Sequence, residues 1–136
     1  IEAQPCEVTA APEELEQILL HLIQNAIDAS DATSPVFVRV SSLGANGAIE
    51  VVDSGHGMSA EFVRSRLFKP FDSTKTGGFG IGAYEARELV RAMNGRIDVE
   101  SREGLGTRFI IHLPRTDTAN IVKSLAEQGK ASRKVA

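Results

Sequence analysis

Two glycine-bearing boxes, Asp53-Ser54-Gly55-His56-Gly57-Met58 and Gly77-Gly78-Phe79-Gly80-Ile81-Gly82, lie on either side of a polar stretch. The first follows a strand pattern, Ala48 to Val52, and the second opens a helical pattern, Ala83 to Met93. The pair looks like two walls of one pocket, and helices interleaved with strands belong to layered α/β folds. The boxes also carry chemistry. A carboxylate at a strand end accepts a hydrogen bond from an exocyclic amine, and glycines after it let backbone lie against a flat base. Backbone N–H groups at the start of a helix sit at its positive end and hold phosphate oxygens. Adenine at one end and triphosphate at the other amount to ATP.

Each box alone is weak. Gly55 and Gly57 read equally well as a tight turn after a strand, and Asp53 as the residue that starts it. The second box lacks both the dinucleotide G-x-G-x-x-G spacing and the Gly-Lys-Ser/Thr of a P-loop. Their order and setting lift the pair.

The helix before them supplies a third component. Pro12 with Glu13 and Glu14 suits a first turn, and the pattern runs to about Ser30. Leu15, Ile18, Leu19, Leu22, Ile23 and Ala26 form the apolar stripe that buries one face. Gln17, His21, Asn25 and Asp28 form a separate polar stripe. The Asn25 side-chain oxygen is a neutral hard ligand suited to Mg²⁺, which keeps waters and bridges phosphate oxygens. Further along, Glu7 to Thr9 is strand-like, Val36, Val38 and Val40 alternate, and Gly44 to Gly47 turns the chain into the strand ending at Asp53. Ser59 caps a short helix to about Leu67, Asn94-Gly95 closes the helix from Ala83, and strands follow at Ile97-Val99 and Phe109-Leu113 across a turn at Glu103 to Gly106. These elements predict a two-layer α/β sandwich, with a mixed, mostly antiparallel sheet covered on one face by about three helices.

Together, Leu19 to Ala26, the Asp53 box, Phe68-Lys69-Pro70-Phe71, the glycine box and Gly104-Leu105-Gly106-Thr107 resemble the ATPase domain of sensor histidine kinases. That family sits in a wider group with the gyrase, Hsp90 and MutL ATPases, and the resemblance runs from about Pro12 to Pro114. Residues Phe71 to Gly82 look closest to kinases associated with exopolysaccharide or PEP-CTERM systems.

The resemblance implies a Bergerat-type fold and a catalytic domain that moves the γ-phosphoryl group of ATP to a histidine. It implies Asn25 as the Mg²⁺ ligand and Asp53 as the acid on the adenine amino group, with Thr107 near the same ring. Gly55, Gly57 and Met58 then lie around the base, and Asp28 belongs to the nucleotide site. Lys75, Lys69, Gly78, Phe79, Gly80, Ile81 and Gly82 address the phosphates, and residues 58–79 form a lid. His21, with Asn25, is a candidate catalytic residue that orients the incoming nucleophile or a water.

Two positions depart from the pattern. Histidine kinases commonly carry Asn where His21 stands and a basic residue where Asp28 stands, whereas gyrase-type ATPases carry Glu and Asp. His56 and His112 read as structural. No histidine is followed by the acidic residue and later proline that mark the phosphorylated histidine of the family. The acceptor is expected on a separate dimerisation and phosphoacceptor domain of the parent protein, with a response regulator receiver domain as onward partner. An anti-sigma-factor-type serine kinase and a gyrase- or MutL-like ATP-driven clamp are the alternatives.

Composition sets outer limits. The chain has 136 residues with 42% hydrophobic content, enough for one core but not two. A net charge of −3 argues against nucleic acid as a partner, although residues 115–136 carry five basic and two acidic side chains. Cys6 is the only cysteine and forms no internal disulfide. No apolar run reaches membrane-spanning length, so direct membrane insertion is not expected of this stretch. The expected setting is cytoplasmic, in a membrane-associated parent. The first residue is Ile, and the chain reads as a piece of a longer protein: residues 1–114 as the catalytic domain, 115–136 as a weakly structured tail.

Overall fold

The computed structural model describes residues 1–3, 7–70, 81–116 and 125–128. Five strands and three helices follow in the order β1 (Glu2–Ala3), α1 (Pro12–Ala29), β2 (Phe37–Leu43), β3 (Asn46–Asp53), α2 (Ala60–Ser65), α3 (Ala83–Ala92), β4 (Arg96–Arg102) and β5 (Gly106–Pro114). The sheet order is β1-β2-β3-β5-β4, with β1 parallel to β2 and every other pair antiparallel. The sequence predicts this mixed sheet and its two-layer arrangement.

Local rules account for the helix ends. Pro12 opens α1, where its missing N–H costs nothing, and Glu13 and Glu14 face the positive end of the helix dipole. Ser59 accepts a hydrogen bond from the Phe62 amide at 3.1 Å and caps α2. Asn94, at φ 61°, ends the run from α3.

Register decides which side of the sheet faces the helices. Val51 pairs with Phe109, Ile49 with Ile111, and both β5 residues with β4 partners, Val99 and Ile97. Against this face pack Ile18, Leu22 and Ala26 of α1 and Ala86 and Val90 of α3, forming the core with Val51, Phe109, Ile111 and Leu113. Helix α2 has no buried residue and packs at the rim, against β4. The opposite face carries an ion-pair row. Nearly buried Glu50 receives Arg108 Nε at 2.7 Å, and Arg108 Nη1 reaches Glu100 at 2.9 Å. Those bonds, to Glu50 first, raise the Arg108 pKa.

The first strand differs from expectation. The paired strand is Glu2–Ala3, whereas Val8 makes one isolated bridge to Arg115. Thr9 N donates to Pro114 O and Thr116 N to Glu7 O, so this segment is tied to the chain just after β5 and adds no full strand. A three-residue apolar alternation without a continuous partner edge gives a bridge only.

Candidate functional site

Asp53 ends β3 opposite Thr107 of β5, and Thr107 in turn lies opposite Ser101 of β4. The three side chains therefore stand in a row across the sheet end, on the helix-covered face. Asp53 and Thr107 are each 7% exposed. The Asp53 Oδ1 accepts the Gly55 amide at 2.8 Å, an Asx turn that fixes the carboxylate. Oδ2 accepts no hydrogen bond among the described residues and is left for a ligand.

The loop after Asp53 is clamped from two sides by backbone. His56 N donates to Ala29 O at the end of α1, and His56 O accepts from Gly104 N in the β4–β5 turn, at 3.1 and 2.7 Å. A Cβ on Gly55 would land on the Ala29 carbonyl, and one on Gly57 on the Arg102 carbonyl. Gly57 also has φ 69°, where a side chain is strained. The fold itself therefore requires both glycines, a reason separate from room for a base.

This clamp brings α1 alongside the Asp53 loop. Ala29 lies one helical turn beyond Asn25, so Asn25 stands about 6 Å up the helix from the loop. Asn25 Nδ2 is 3.1 Å from His21 Nε2. An amide nitrogen can only donate, so in this pair His21 Nε2 is the acceptor. The amide oxygen of Asn25 is then the end turned away from His21. Asp28 accepts from Gln24 at 2.9 Å.

At the other glycine box, Ile81 packs on the core and Gly82 caps α3. The Gly82 amide donates to Glu85 Oε2 at 3.0 Å, so a carboxylate already occupies the positive start of α3. Met58 packs on the core and its amide is bonded to Ser101; Lys69 is exposed beyond α2. Lys75, Gly78, Phe79 and Gly80, and the lid from residue 71 onward, lie outside the described residues.

A cavity of about 630 Å³ opens between α2 and the β4–β5 hairpin, a size suited to a nucleotide base and sugar. Asp53, Ser101 and Thr107 line it with Val63, Arg64 and Leu105. Among its described lining residues none comes from α1, so His21 and Asn25 form a second group beside the cavity.

Sequence reasoning missed Ser101. Its Oγ accepts the Met58 amide at 2.8 Å and lies 2.7 Å from Thr107 Oγ1 and 3.1 Å from the Gly106 carbonyl oxygen. The signal was its distance from Thr107 across a turn, which puts the two on facing strands. His112 lies 3.0 Å from Asp98 through Nε2, and His56 Nδ1 meets the Gly57 carbonyl at 2.9 Å, which gives both local structural contacts. Among the described residues no cluster of three or more His, Cys, Asp or Glu could hold a metal, and no helix is long and apolar enough to cross a membrane.

The family model for histidine kinase-, DNA gyrase B- and HSP90-like ATPases matches residues 10–117. The sensor histidine kinase ZraS of Klebsiella oxytoca is 38% identical over 115 residues, covering 82% of this chain and 25% of that protein. The chain thus spans about a quarter of that relative's length. The catalytic domain of histidine kinase ThkA, in a nucleotide-free form, superposes with TM-score 0.69 at 30% identity, over 79% of this chain and 70% of that one. Full-length ShkA in complex with AMPPNP superposes with TM-score 0.68 at 27% identity, over 84% of this chain and 25% of that one.

Proposed function

Because the chain belongs to the family of histidine kinase-, DNA gyrase B- and HSP90-like ATPases, we propose that residues 1–114 are the catalytic domain of a sensor histidine kinase, binding Mg-ATP for transfer of its γ-phosphoryl group to a histidine. The acceptor belongs to a dimerisation and phosphoacceptor domain of the parent protein, and a response regulator receives the phosphoryl group next. Residues 115–136 are a tail, and the domain works in the cytoplasm of a membrane-associated parent.

The observation that carries this reading is the Asp53 carboxylate, with one oxygen fixed by the Gly55 amide and the other left for a ligand in a cavity shared with Thr107. Such an acid selects a donor, as the adenine amino group is.

The phosphate end falls to Asn25. Mg²⁺ asks for few protein ligands and keeps waters and phosphate oxygens, so one neutral amide oxygen fits it. When bound, the ion would neutralise charge on the transferring phosphoryl group. His21 accepts from the Asn25 amide and so holds its oxygen in one direction, as a positioning residue. Because Nε2 is engaged in this way, the general-base reading of that nitrogen gives way to the positioning one. Asp28, paired with Gln24, lies further down the same row.

Asp53→Asn tests the base assignment. It should weaken ATP binding by about 1.5–3 kcal/mol, the worth of a charge-assisted bond, measured by calorimetry with a non-hydrolysable analogue and Mg²⁺. Unchanged affinity would sink it. Transfer is checked by mixing this chain with the parent's acceptor domain. Acid-labile phosphate on the acceptor domain is expected, whereas acid-stable phosphoserine on a partner moves the assignment to a serine kinase.

A further inference from the structure

We infer that Ser101 is a specificity-determining positioning residue: it fixes the Thr107 hydroxyl so that Asp53 and Thr107 act as paired acceptors, selecting a purine with an amino rather than an oxo group. The inference rests on the ATP-binding reading above and deepens it.

Ser101 Oγ has three partners: the Met58 amide at 2.8 Å, the Gly106 carbonyl oxygen at 3.1 Å and Thr107 Oγ1 at 2.7 Å. The amide can only donate and the carbonyl can only accept. Ser101 owns one proton and two lone pairs, so its O–H serves Gly106 and one lone pair takes Met58. Its second lone pair remains for Thr107, whose O–H must then donate. Any other assignment turns a Ser101 lone pair on the Gly106 oxygen and loses one of the three bonds.

With its proton spent, Thr107 offers a ligand only lone pairs. Asp53, its register partner across β3 and β5, offers the same through Oδ2, because Oδ1 is held by Gly55. All three residues are among those lining one cavity. A 6-amino group brings two N–H bonds to this wall, whereas a 6-oxo group brings lone pairs against lone pairs, and only the neighbouring N1–H remains as a donor. A freely rotating Thr107 hydroxyl would donate to the oxo group and blunt that difference. Selectivity therefore passes through a β4 residue that need not touch the base.

The test is the ratio of ITP to ATP dissociation constants, measured on the 136-residue chain with Mg²⁺. ITP carries an oxo group at the six-position and a hydrogen on N1 where ATP carries an amino group and a bare N1, and a ratio taken within one variant is insensitive to a partly unfolded fraction. Ser101→Ala should lower the ratio roughly three- to tenfold, the worth of one neutral hydrogen bond, and Ser101→Thr should restore it. Thr107→Val, which leaves Ser101 bonded to Met58 and Gly106, provides a second route should Ser101→Ala fail to fold. It too should lower the ratio. A wild-type chain that discriminates while both variants discriminate equally well overturns the Ser101 inference alone. A wild type that binds ITP as tightly as ATP, or an Asp53→Asn variant with wild-type ATP affinity, removes the base-reading assignment beneath it as well.

Discussion

The two halves of the site are built on different principles. Around Asp53 the contacts come from three strands and a helix end: Met58 bonds Ser101, Gly55 and His56 meet Ala29, and Gly104 reaches His56. Along α1 the side-chain hydrogen bonds among the described residues include local ones, Asn25 on His21 and Gln24 on Asp28, each four residues apart. Residues of the first half are fixed by the fold and also fix it. Those of the second ride on a helix whose stability comes from its other face, so their chemistry can change without moving the backbone.

Substitution should separate the halves. Asn25→Ala should abolish phosphoryl transfer to a supplied acceptor domain, yet leave unfolding stability within about 0.5 kcal/mol, since Ala is the better helix former. A loss of stability comparable to a core substitution would break the contrast. His21→Ala, acting through Asn25, should lower the rate with little change in ATP affinity. Gly55→Ala should do the reverse and destabilise the fold by about 3 kcal/mol or more, because its Cβ meets backbone that cannot move aside. Denaturant unfolding measures this, and a shift under about 1 kcal/mol would show that the loop can be displaced.

The ion-pair row tests a long-range contact of another kind. Arg108→Ala leaves nearly buried Glu50 with Arg39, 3.8 Å away, as its ion-pair partner among the described residues, and should cost about 1–2 kcal/mol, moderated because Arg108 is 40% exposed. The smallest effect is expected at Asp31, whose carboxylate accepts from the Thr33 and Ser34 side chains and amides. Those bonds, to the Thr33 side chain first, lower its pKa. A carboxylate depressed in the folded state contributes stability above its unfolded pKa and loses it as pH falls through the folded value. Asp31→Asn should therefore alter stability slightly near neutrality and not at all at strongly acidic pH, because the residue is fully exposed. A pH-independent difference would contradict this.

The same division explains what the sequence discloses. Helix ends were legible because Pro12, Ser59 and Asn94 act on neighbours within a turn. The Asp53 and Asn25 boxes were legible as motifs. Ser101 was not, since its bonds depend on the β4–β5 register, and a lone serine in a strand pattern reads as an outward polar residue. The reason for Gly55 was hidden too, because it lies in Ala29, which only tertiary packing brings near. Glu85 on Gly82 followed a readable three-residue spacing that the phosphate reading of the glycine box obscured.

The clamp on the Asp53 loop is made of peptide groups: the carbonyls of Ala29 and Arg102 and the amide of Gly104. Such a fastening does not read side-chain identity. Ser54, His56 and Arg102, all exposed, can mutate freely while the carboxylate beside them keeps its aim, and the two glycines cannot. A lineage can therefore rewrite the rim of this site, and with it what the domain docks against, without renegotiating which nucleotide it holds.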